Sequence, residues 1–383
     1  MNCKSTCKNN GNENNLIKNE TKIQINPQLI MKLNLRKMNL YKIGKNTYRN
    51  DIIIVHELSN KKLGILCNYV LLIYSLNNFK LLQMIEQNLK NENIYNFELI
   101  DFIELKNGNL VLWNKREILI YESIGQKYEL HQKINEFEHG TKRVESNIFF
   151  NTTYSYYNIS CVYELLNSNL ISGNSYGIKI YQNKNDEYAL IKTLKTNIDV
   201  EYIVQIKPNL LILFEKNFTA RKGCRAGFYS HLISIYDIDK EEESNINDYF
   251  YVNRRKSALN ILIKGIYLLD RYNDFFDIYN IEKGMEKINT DYMRSIEEKP
   301  FGLRNSKLKE EMDIDLLCDY FDNLFLAKNN NDDEVKIYKF EDEKVKYYCD
   351  FPIKICNPKG IVKLKNYMLI IYYYYGINII NHT

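Results

Sequence analysis

Residues 97–134 read FELIDFIELKNGNLVLWNKREILIYESIGQKYELHQKI and contain four apolar runs, at 97–105, 110–113, 118–121 and 128–134. The Asn107-Gly108 pair between the first two runs is a typical hairpin-turn dipeptide. Short runs that are rich in Ile, Leu and Tyr and bounded by turn residues predict β-strands. This stretch therefore predicts a unit of four antiparallel strands.

The Ile-Tyr pair that ends the third run returns along the chain. The copies are Ile73-Tyr74, Ile120-Tyr121, Ile180-Tyr181, Ile235-Tyr236, Ile278-Tyr279 and Ile337-Tyr338, with a weaker one at Ile379-Ile380. Successive tyrosines lie 43 to 60 residues apart, and a period of about 40–45 residues with insertions is typical of propeller blades. We therefore predict an all-β fold, a seven-bladed β-propeller of four-stranded antiparallel blades, in which the repeated tyrosines pack between neighbouring sheets.

The repeats also predict the domain boundaries. The blades are expected near residues 50–87, 97–136, 156–196, 200–252, 257–291, 312–353 and 357–383. The last repeat ends after its third strand, and the segment 36–43 (RKMNLYKI) is similar to the fourth strands of the other repeats. We expect this segment to complete the last blade, because closure protects the edges that an open ring would expose. Residues 1–30 are then a polar disordered tail, and 31–383 a single propeller domain.

The stretch 172–181 (SGNSYGIKIY) resembles the turn and third strand of the WD40-repeat family, with Tyr181 where the family usually has Trp. The resemblance covers roughly residues 34–383, although the family's Gly-His and Trp-Asp dipeptides are absent. It implies a non-catalytic scaffold that mediates protein–protein interaction as a member of a larger assembly.

Composition excludes several classes of protein. The 52 Lys and Arg residues nearly balance the 48 Asp and Glu residues, so an electrostatic partner must be sought in local clusters. The eight cysteines are scattered along the chain, which indicates a reducing, intracellular setting, cytoplasmic or nuclear. The longest apolar stretch, 367–380, is shorter than the ~18 residues of a membrane-spanning helix, so no transmembrane segment is expected.

Three candidate chemical sites have structural interpretations that we favour. Gly173-Asn174-Ser175-Tyr176-Gly177 matches G-x-S-x-G, but the motif precedes a predicted strand instead of a helix. Asp51, Asp101 and Asp313 begin first strands and could form a carboxylate pair near the axis, although solvation at strand ends is the simpler interpretation. The five histidines show no metal-binding spacing. We expect no metal, no cofactor and no enzymatic activity.

Four long inserted segments, 135–158, 216–230, 241–257 and 288–312, leave the predicted blades on one face. Connections into the next blade and between strands two and three share that face in a four-stranded blade. Insertions on one side of a repeat protein are typical of its binding side. The predicted partner-binding residues in or beside these segments are Lys142, Arg143, Phe218, Arg221, Lys222, Arg225, Phe228, Arg254, Arg255, Lys256, Arg304 and Lys307.

Two kinds of partner remain open. A protein could dock through Phe218 and Phe228, whereas the basic residues could bind the phosphoinositide headgroups of an anionic lipid, or RNA. Arg254-Arg255 resembles the paired arginines of phosphoinositide-binding propellers, although Asn253 and Lys256 replace the Phe and Gly that flank them there. Solvated loops without a partner are the remaining alternative.

Overall fold

The computed structural model describes residues 27–34, 40–43, 46–49, 51–86, 98–136, 158–174, 177–185, 187–220, 227–251, 261–264, 267–272, 275–280, 286–292, 316–320, 323–328, 335–353, 358–365, 368–373 and 376–382. Every regular element in these ranges is a β-strand. The chain divides into two compact units, which we name the central unit (Arg36–Arg254) and the terminal unit (Met1–Leu35 with Arg255–Thr383).

The strands are β1 (Pro27–Asn34), β2 (Leu40–Ile43), β3 (Asn46–Arg49), β4 (Ile52–Leu58), β5 (Lys62–Cys67), β6 (Val70–Ser75), β7 (Leu81–Glu86), β8 (Leu99–Glu104), β9 (Leu110–Asn114), β10 (Glu117–Ile124), β11 (Lys127–Asn135), β12 (Cys161–Glu164), β13 (Leu170–Asn174), β14 (Gly177–Lys184), β15 (Glu187–Leu194), β16 (Tyr202–Lys207), β17 (Leu210–Ala220), β18 (Gly227–Asp237), β19 (Glu242–Tyr251), β20 (Ile261–Lys264), β21 (Tyr267–Tyr272), β22 (Phe275–Asn280), β23 (Glu286–Tyr292), β24 (Leu316–Asp319), β25 (Leu324–Lys328), β26 (Val335–Glu341), β27 (Lys344–Asp350), β28 (Gly360–Lys363), β29 (Met368–Tyr373) and β30 (Gly376–His382).

The central unit contains four four-stranded antiparallel sheets and the separate β2–β3 hairpin. Sheet 1 is β4–β7, sheet 2 is β8–β11, sheet 3 is β12–β15 and sheet 4 is β16–β19, and each strand pairs with the next along the chain. Apolar clusters fill the spaces between consecutive sheets, with Phe102 between sheets 1 and 2, Trp113 between sheets 2 and 3, and Leu213 between sheets 3 and 4. The alternation of side chains along each strand supplies these clusters.

The terminal unit contains three further four-stranded antiparallel sheets. Sheet 5 is β20–β23, sheet 6 is β24–β27, and sheet 7 is β28–β30 with β1. An apolar cluster that includes Tyr320, Leu326 and Leu369 joins sheets 6 and 7. The prediction of an all-β fold of small four-stranded antiparallel sheets is confirmed for the described residues.

The strand that completes sheet 7 is β1, so the prediction that 36–43 completes the last blade is wrong. β1 pairs antiparallel with β30, from Pro27 opposite His382 to Asn34 opposite Gly376. The described part of the predicted segment is β2, which pairs with β3. Only two residues of the sequence separate β2 from β3, and so short a connection favours pairing of the two as a hairpin. β1 also begins within the predicted tail, of which residues 1–26 lie outside the described residues.

The repeated Ile-Tyr pair coincides with a β-bulge. In sheets 1, 2, 3, 5 and 6, the pairing of the third strand with the fourth shifts between the Ile and the Tyr of the repeat. In sheet 4 the shift lies two residues earlier. A bulge increases the local twist of its strand. The predicted packing between sheets is confirmed for Tyr181 and Tyr236, while Tyr74 and Tyr338 are buried and Tyr121 is half-buried.

Each sheet of the central unit has two ends, which we name by their connections. At the entry end the first strand begins and the fourth strand ends. At the turn end lie the turns between strands one and two and between strands three and four. In sheet 2 the Leu105 N–H donates to the Asn109 carbonyl across the first turn at 2.8 Å, and Gly108 supplies the positive φ of 86°.

The same hydrogen bond joins neighbouring sheets at the turn end three times. The backbone N–H of Ser59 donates to Glu104 Oε2 at 2.5 Å. That of Lys106 donates to Glu164 Oε2 at 2.8 Å, and that of Leu166 to Gln205 Oε1 at 2.6 Å. Each acceptor lies at or near the end of a first strand, and each donor lies after the first strand of the preceding sheet. We name these three contacts the turn-end latches.

Glutamines join the fourth strands in a similar way. The Gln83 side-chain amide donates to the Tyr128 carbonyl at 2.7 Å and accepts from the Tyr128 N–H at 2.8 Å. Gln132 makes the same pair of bonds with Tyr188, both at 2.9 Å. At the next junction Lys192 Nζ donates to the Ile238 carbonyl at 3.2 Å. Contacts of one kind therefore repeat from sheet to sheet through the central unit.

Candidate interaction surface

The structure places two of the twelve predicted partner-binding residues in strands, Phe218 in β17 and Phe228 in β18. The other ten lie outside the described residues: Lys142, Arg143, Arg221, Lys222, Arg225, Arg254, Arg255, Lys256, Arg304 and Lys307. The choice of these residues as a site stays a prediction.

Three of the predicted insertions are partly strand, which corrects their assignment as loops. Residues 216–220 belong to β17 and 227–230 to β18, β19 occupies most of 241–257, and β23 continues to Tyr292. Their polar and basic composition favoured loops, but aromatic residues such as Phe218, Tyr229 and Tyr251 favour strands. Pairing across three strands gives the backbone of the segments in sheet 4 its hydrogen bonds.

Sheet 4 continues past the start of its own first strand. β16 pairs with β17 only as far as Tyr202 opposite Phe214, whereas β17 and β18 stay paired to Ala220 opposite Gly227. We name residues 215–220, 227–232 and 248–251 the sheet-4 extension. Six residues at about 3.3 Å each carry β17 roughly 20 Å beyond its pairing with β16. The extension lies at the entry end, which is the face predicted to bind.

The pairing register sorts the residues of the extension into cross-strand rows. Phe218 is opposite Tyr229, and Tyr229 is opposite Tyr251, so one row carries three aromatic residues. The next row on the same face contains Lys216, His231 and Tyr249. Aromatic residues and arginine are typical of interface hot spots.

Hydrogen bonds fix the base of the extension. The Glu201 N–H donates to the Phe214 carbonyl at 2.9 Å. Glu243, which follows the first residue of β19, accepts from the Ser234 hydroxyl at 2.7 Å and from the Asn197 N–H at 2.5 Å. Asn197 lies between β15 and β16. The Glu243 carboxylate therefore joins the third and fourth strands of sheet 4 to the segment that leads from sheet 3 into sheet 4. The extension therefore rises from a well-bonded framework.

A buried carboxylate lies at the entry end between sheets 2 and 3. Glu136, which follows β11, is 3% exposed. Its Oε1 accepts from the Ser172 hydroxyl and, at 2.6 Å, from the Tyr181 hydroxyl, while Lys179 Nζ lies 3.9 Å from Oε2. A buried charge is tolerated when it is paired and hydrogen-bonded. Glu136 thus attaches the start of the inserted segment 135–158 to sheet 3.

The candidate catalytic groups that the structure describes lie in or beside the strands of the central unit. Asp101 Oδ1 lies 3.4 Å from His56 Nε2, and Asp313 lies outside the described residues. Burial raises the pKa of the Cys161 thiol, so this cysteine is protonated and poorly nucleophilic at neutral pH. Asn174 pairs with Gly177 in the hairpin of β13 and β14, so the G-x-S-x-G match lacks the strand-to-helix turn of a nucleophile elbow.

No group of three or more His, Cys, Asp and Glu side chains that could hold a metal ion occurs among the described residues. Within the same ranges, no helix is long and apolar enough to span a bilayer. Cys67, Cys161, Cys318 and Cys349 are not joined in disulfides.

The sequence interpretation missed the residues that join the sheets. A Glu-Leu dipeptide stands at Glu57-Leu58, Glu104-Leu105 and Glu164-Leu165, always at the end of a first strand. This repeated dipeptide could have predicted the turn-end latches, because a polar residue that recurs at the same position of each repeat indicates a contact that recurs as well. Glu136 has no counterpart in the other repeats, so no periodic signal pointed to it.

Two solved structures are similar to the chain. A chain in the crystal structure of the mitotic checkpoint complex is 8% identical, with a TM-score of 0.55 over 99% of both chains. Sqt1 of Saccharomyces cerevisiae is 10% identical, with a TM-score of 0.50 over 89% of this chain and 83% of that one. No protein-family model and no curated protein matches the chain. At these identities the likeness shows the fold alone, and it supports a β-propeller.

Proposed function

We propose that the chain is a non-catalytic, WD40-like scaffold of seven blades that binds a protein partner through its entry end. The observation that carries this proposal is the sheet-4 extension, because it departs from the repeated framework on the face where the sequence places the insertions. An intracellular place in a larger assembly is part of the same proposal, and the scattered positions of the eight cysteines support it.

The composition of the extension favours a protein partner. Its cross-strand row of Phe218, Tyr229 and Tyr251 provides large aromatic residues on one face of a sheet. Such residues supply most of the binding energy in protein interfaces, usually from a small central cluster. Hydrogen bonds of Glu201 and Glu243 hold the framework beneath the extension.

One sequence feature favours the second candidate function, an anion-binding propeller for phosphoinositide headgroups or RNA. From Lys216 to His231 the chain has four Lys and Arg residues and no acidic residue. Basic segments bind polyanions by releasing counterions, so the affinity would fall steeply with salt. Binding through aromatic anchors would change much less with salt.

The test compares charge reversal at the two ends of the central unit. The entry-end variant carries Arg221→Glu, Lys222→Glu and Arg225→Glu. Its matched control carries Lys80→Glu, Lys127→Glu and Lys184→Glu, three exposed lysines at the turn end. Affinity capture from the native cell is run with both variants and the wild type, with and without nuclease, at low and high salt.

We expect the entry-end variant to lose the captured protein and the control to keep it. If the wild type loses its captured protein when nuclease is added, RNA binding is favoured instead. Equal capture by the entry-end variant and the control would contradict the proposal.

A further inference from the structure

β17 has an open edge along the sheet-4 extension. β16 has six residues and β17 has eleven, and the pairing of the two strands ends at Phe214. Among the described residues, no strand other than β18 pairs with 215–220. The remaining side of this part of β17 is where β16 would continue if it were longer.

Two hydrogen bonds define which backbone groups point towards that edge. The Phe214 carbonyl accepts from the Glu201 N–H on the β16 side, whereas the Asn209 carbonyl accepts from the Ile238 N–H on the β18 side. Backbone groups alternate in direction along an antiparallel strand. The N–H and C=O groups of Lys216, Phe218 and Ala220 therefore point towards the open edge, and those of Asn217 and Thr219 point towards β18.

We propose that this edge takes up an extended acidic segment of the protein partner as an additional β-strand, antiparallel to β17 and in line with β16. This inference rests on the proposed function, and it specifies how the partner binds. An exposed edge offers a row of unpaired donors and acceptors, and a peptide strand matches that row in spacing and polarity. A nucleic acid backbone does not present the alternating N–H and C=O groups that would match this row.

Charge complementarity selects an acidic partner. The sheet-4 extension and the residues 221–226 that join β17 to β18 carry four Lys and Arg residues against two acidic residues, Glu215 and Asp248. β19 is followed by a second basic group, at Arg254, Arg255 and Lys256. Opposite charges speed the encounter and disfavour basic partners, while the backbone bonds of the added strand supply affinity.

Proline provides a specific test, because it removes a backbone N–H. At Lys216 or Ala220 the lost N–H is the one that points to the open edge, so β17 stays paired with β18. Lys216→Thr is the matched control, since it removes the same charge and keeps the N–H. The probe is a displayed library of random linear peptides, selected on the wild-type full chain.

We expect the selected peptides to be acidic and rich in β-branched residues. Binding should be about tenfold weaker to Lys216→Pro and Ala220→Pro, and nearly unchanged to Lys216→Thr. Slow amide exchange at Asn217 and Thr219 checks that the extension is still paired in the proline variants. In the wild type, bound peptide should slow amide exchange at Lys216, Phe218 and Ala220, a measurement that needs no variant.

Strand addition is contradicted if no acidic peptide is selected, if the proline variants bind as the wild type does, or if the edge amides stay unprotected by bound peptide. Preference for a single-stranded RNA over every peptide would also contradict it. When capture depends on the entry end but not on the edge N–H groups, the scaffold proposal stands and strand addition is wrong.

Discussion

The two ends of the central unit differ in how much they repeat. At the turn end, one kind of side-chain contact, the latch from Glu104, Glu164 or Gln205, joins three successive pairs of sheets. At the entry end the side-chain contacts differ at every junction, although a backbone bond recurs there. Tyr69 donates to Glu98 between sheets 1 and 2, whereas the buried Glu136 lies between sheets 2 and 3.

This difference separates framework from binding surface. A contact repeated in each sheet stabilises the stacking of sheets and is independent of any partner. An end that varies from sheet to sheet, and that bears the sheet-4 extension, can be specific for a partner. Substitutions in the framework should change stability, whereas substitutions in the binding surface should change partner binding.

The largest effect is expected from the repeated tyrosines of the framework. Tyr236 is 1% exposed and packs in the cluster between sheets 3 and 4, so Tyr236→Ala should reduce the free energy of unfolding by about 4 kcal/mol. Tyr121 is half-buried, and Tyr121→Ala should have about half that effect. Urea denaturation measures both. Equal effects of the two substitutions would contradict the assigned difference in packing.

The second effect concerns the buried carboxylate at the entry end. Glu136→Ala removes an acceptor of the Tyr181 hydroxyl and the negative charge 3.9 Å from the Lys179 ammonium, and should reduce the free energy of unfolding by about 3 kcal/mol. In a double-mutant cycle with Tyr181→Phe, a coupling of about 1–2 kcal/mol is expected. Additive effects would show that the two side chains do not interact.

The third prediction concerns the turn-end latches. Glu104 accepts from both the N–H and the hydroxyl of Ser59, at 2.5 and 2.6 Å, whereas Glu164 accepts from the Lys106 N–H at 2.8 Å. Glu104→Ala should therefore destabilise by about 2 kcal/mol and Glu164→Ala by about 1 kcal/mol. Partner binding should be unaffected by either substitution. A latch variant that folds normally and loses the partner would move the binding surface to the turn end.

The smallest effect is a pH dependence at Asp237. The backbone N–H of Lys240, followed by that of Asp239, holds the pKa of this carboxyl below its usual value. A lowered folded-state pKa gives stability that is present above the unfolded pKa and is lost as the pH falls through the folded pKa. Asp237→Asn should flatten the acid limb of the curve of stability against pH. Superimposable acid limbs for wild type and variant would contradict this assignment.

The sequence predicted the repeated strands, but it missed the repeated turn-end latches and the contacts that occur only once. The Ile-Tyr copies share one phase and one bulge position in most sheets, so periodicity alone located the strands. Closure was assigned to 36–43 because it resembles the other fourth strands in composition. The pairing of β1 with β30 depends instead on register between residues over 340 apart in the chain, which composition does not encode.

The segments of the sheet-4 extension were predicted as insertions and not as strands. The aromatic residues Phe218, Tyr229 and Tyr251 favour strands, but the basic residues between Phe218 and Tyr229 favoured a loop. Whether a hairpin continues or opens depends on cross-strand partners, here supplied by β19, whose own composition is polar. Side-chain contacts such as that of Glu136 with Tyr181 join residues 45 apart and follow from packing.

Amide hydrogen exchange of the full chain, free and with its captured partner, tests most directly the claim that the entry end binds. We expect the partner to slow exchange in the sheet-4 extension, at 215–220 and 227–232, and to leave the turn-end segments 59–61, 106–109 and 166–169 unchanged. Slowed exchange at the turn-end segments alone, with an unchanged extension, would contradict the account.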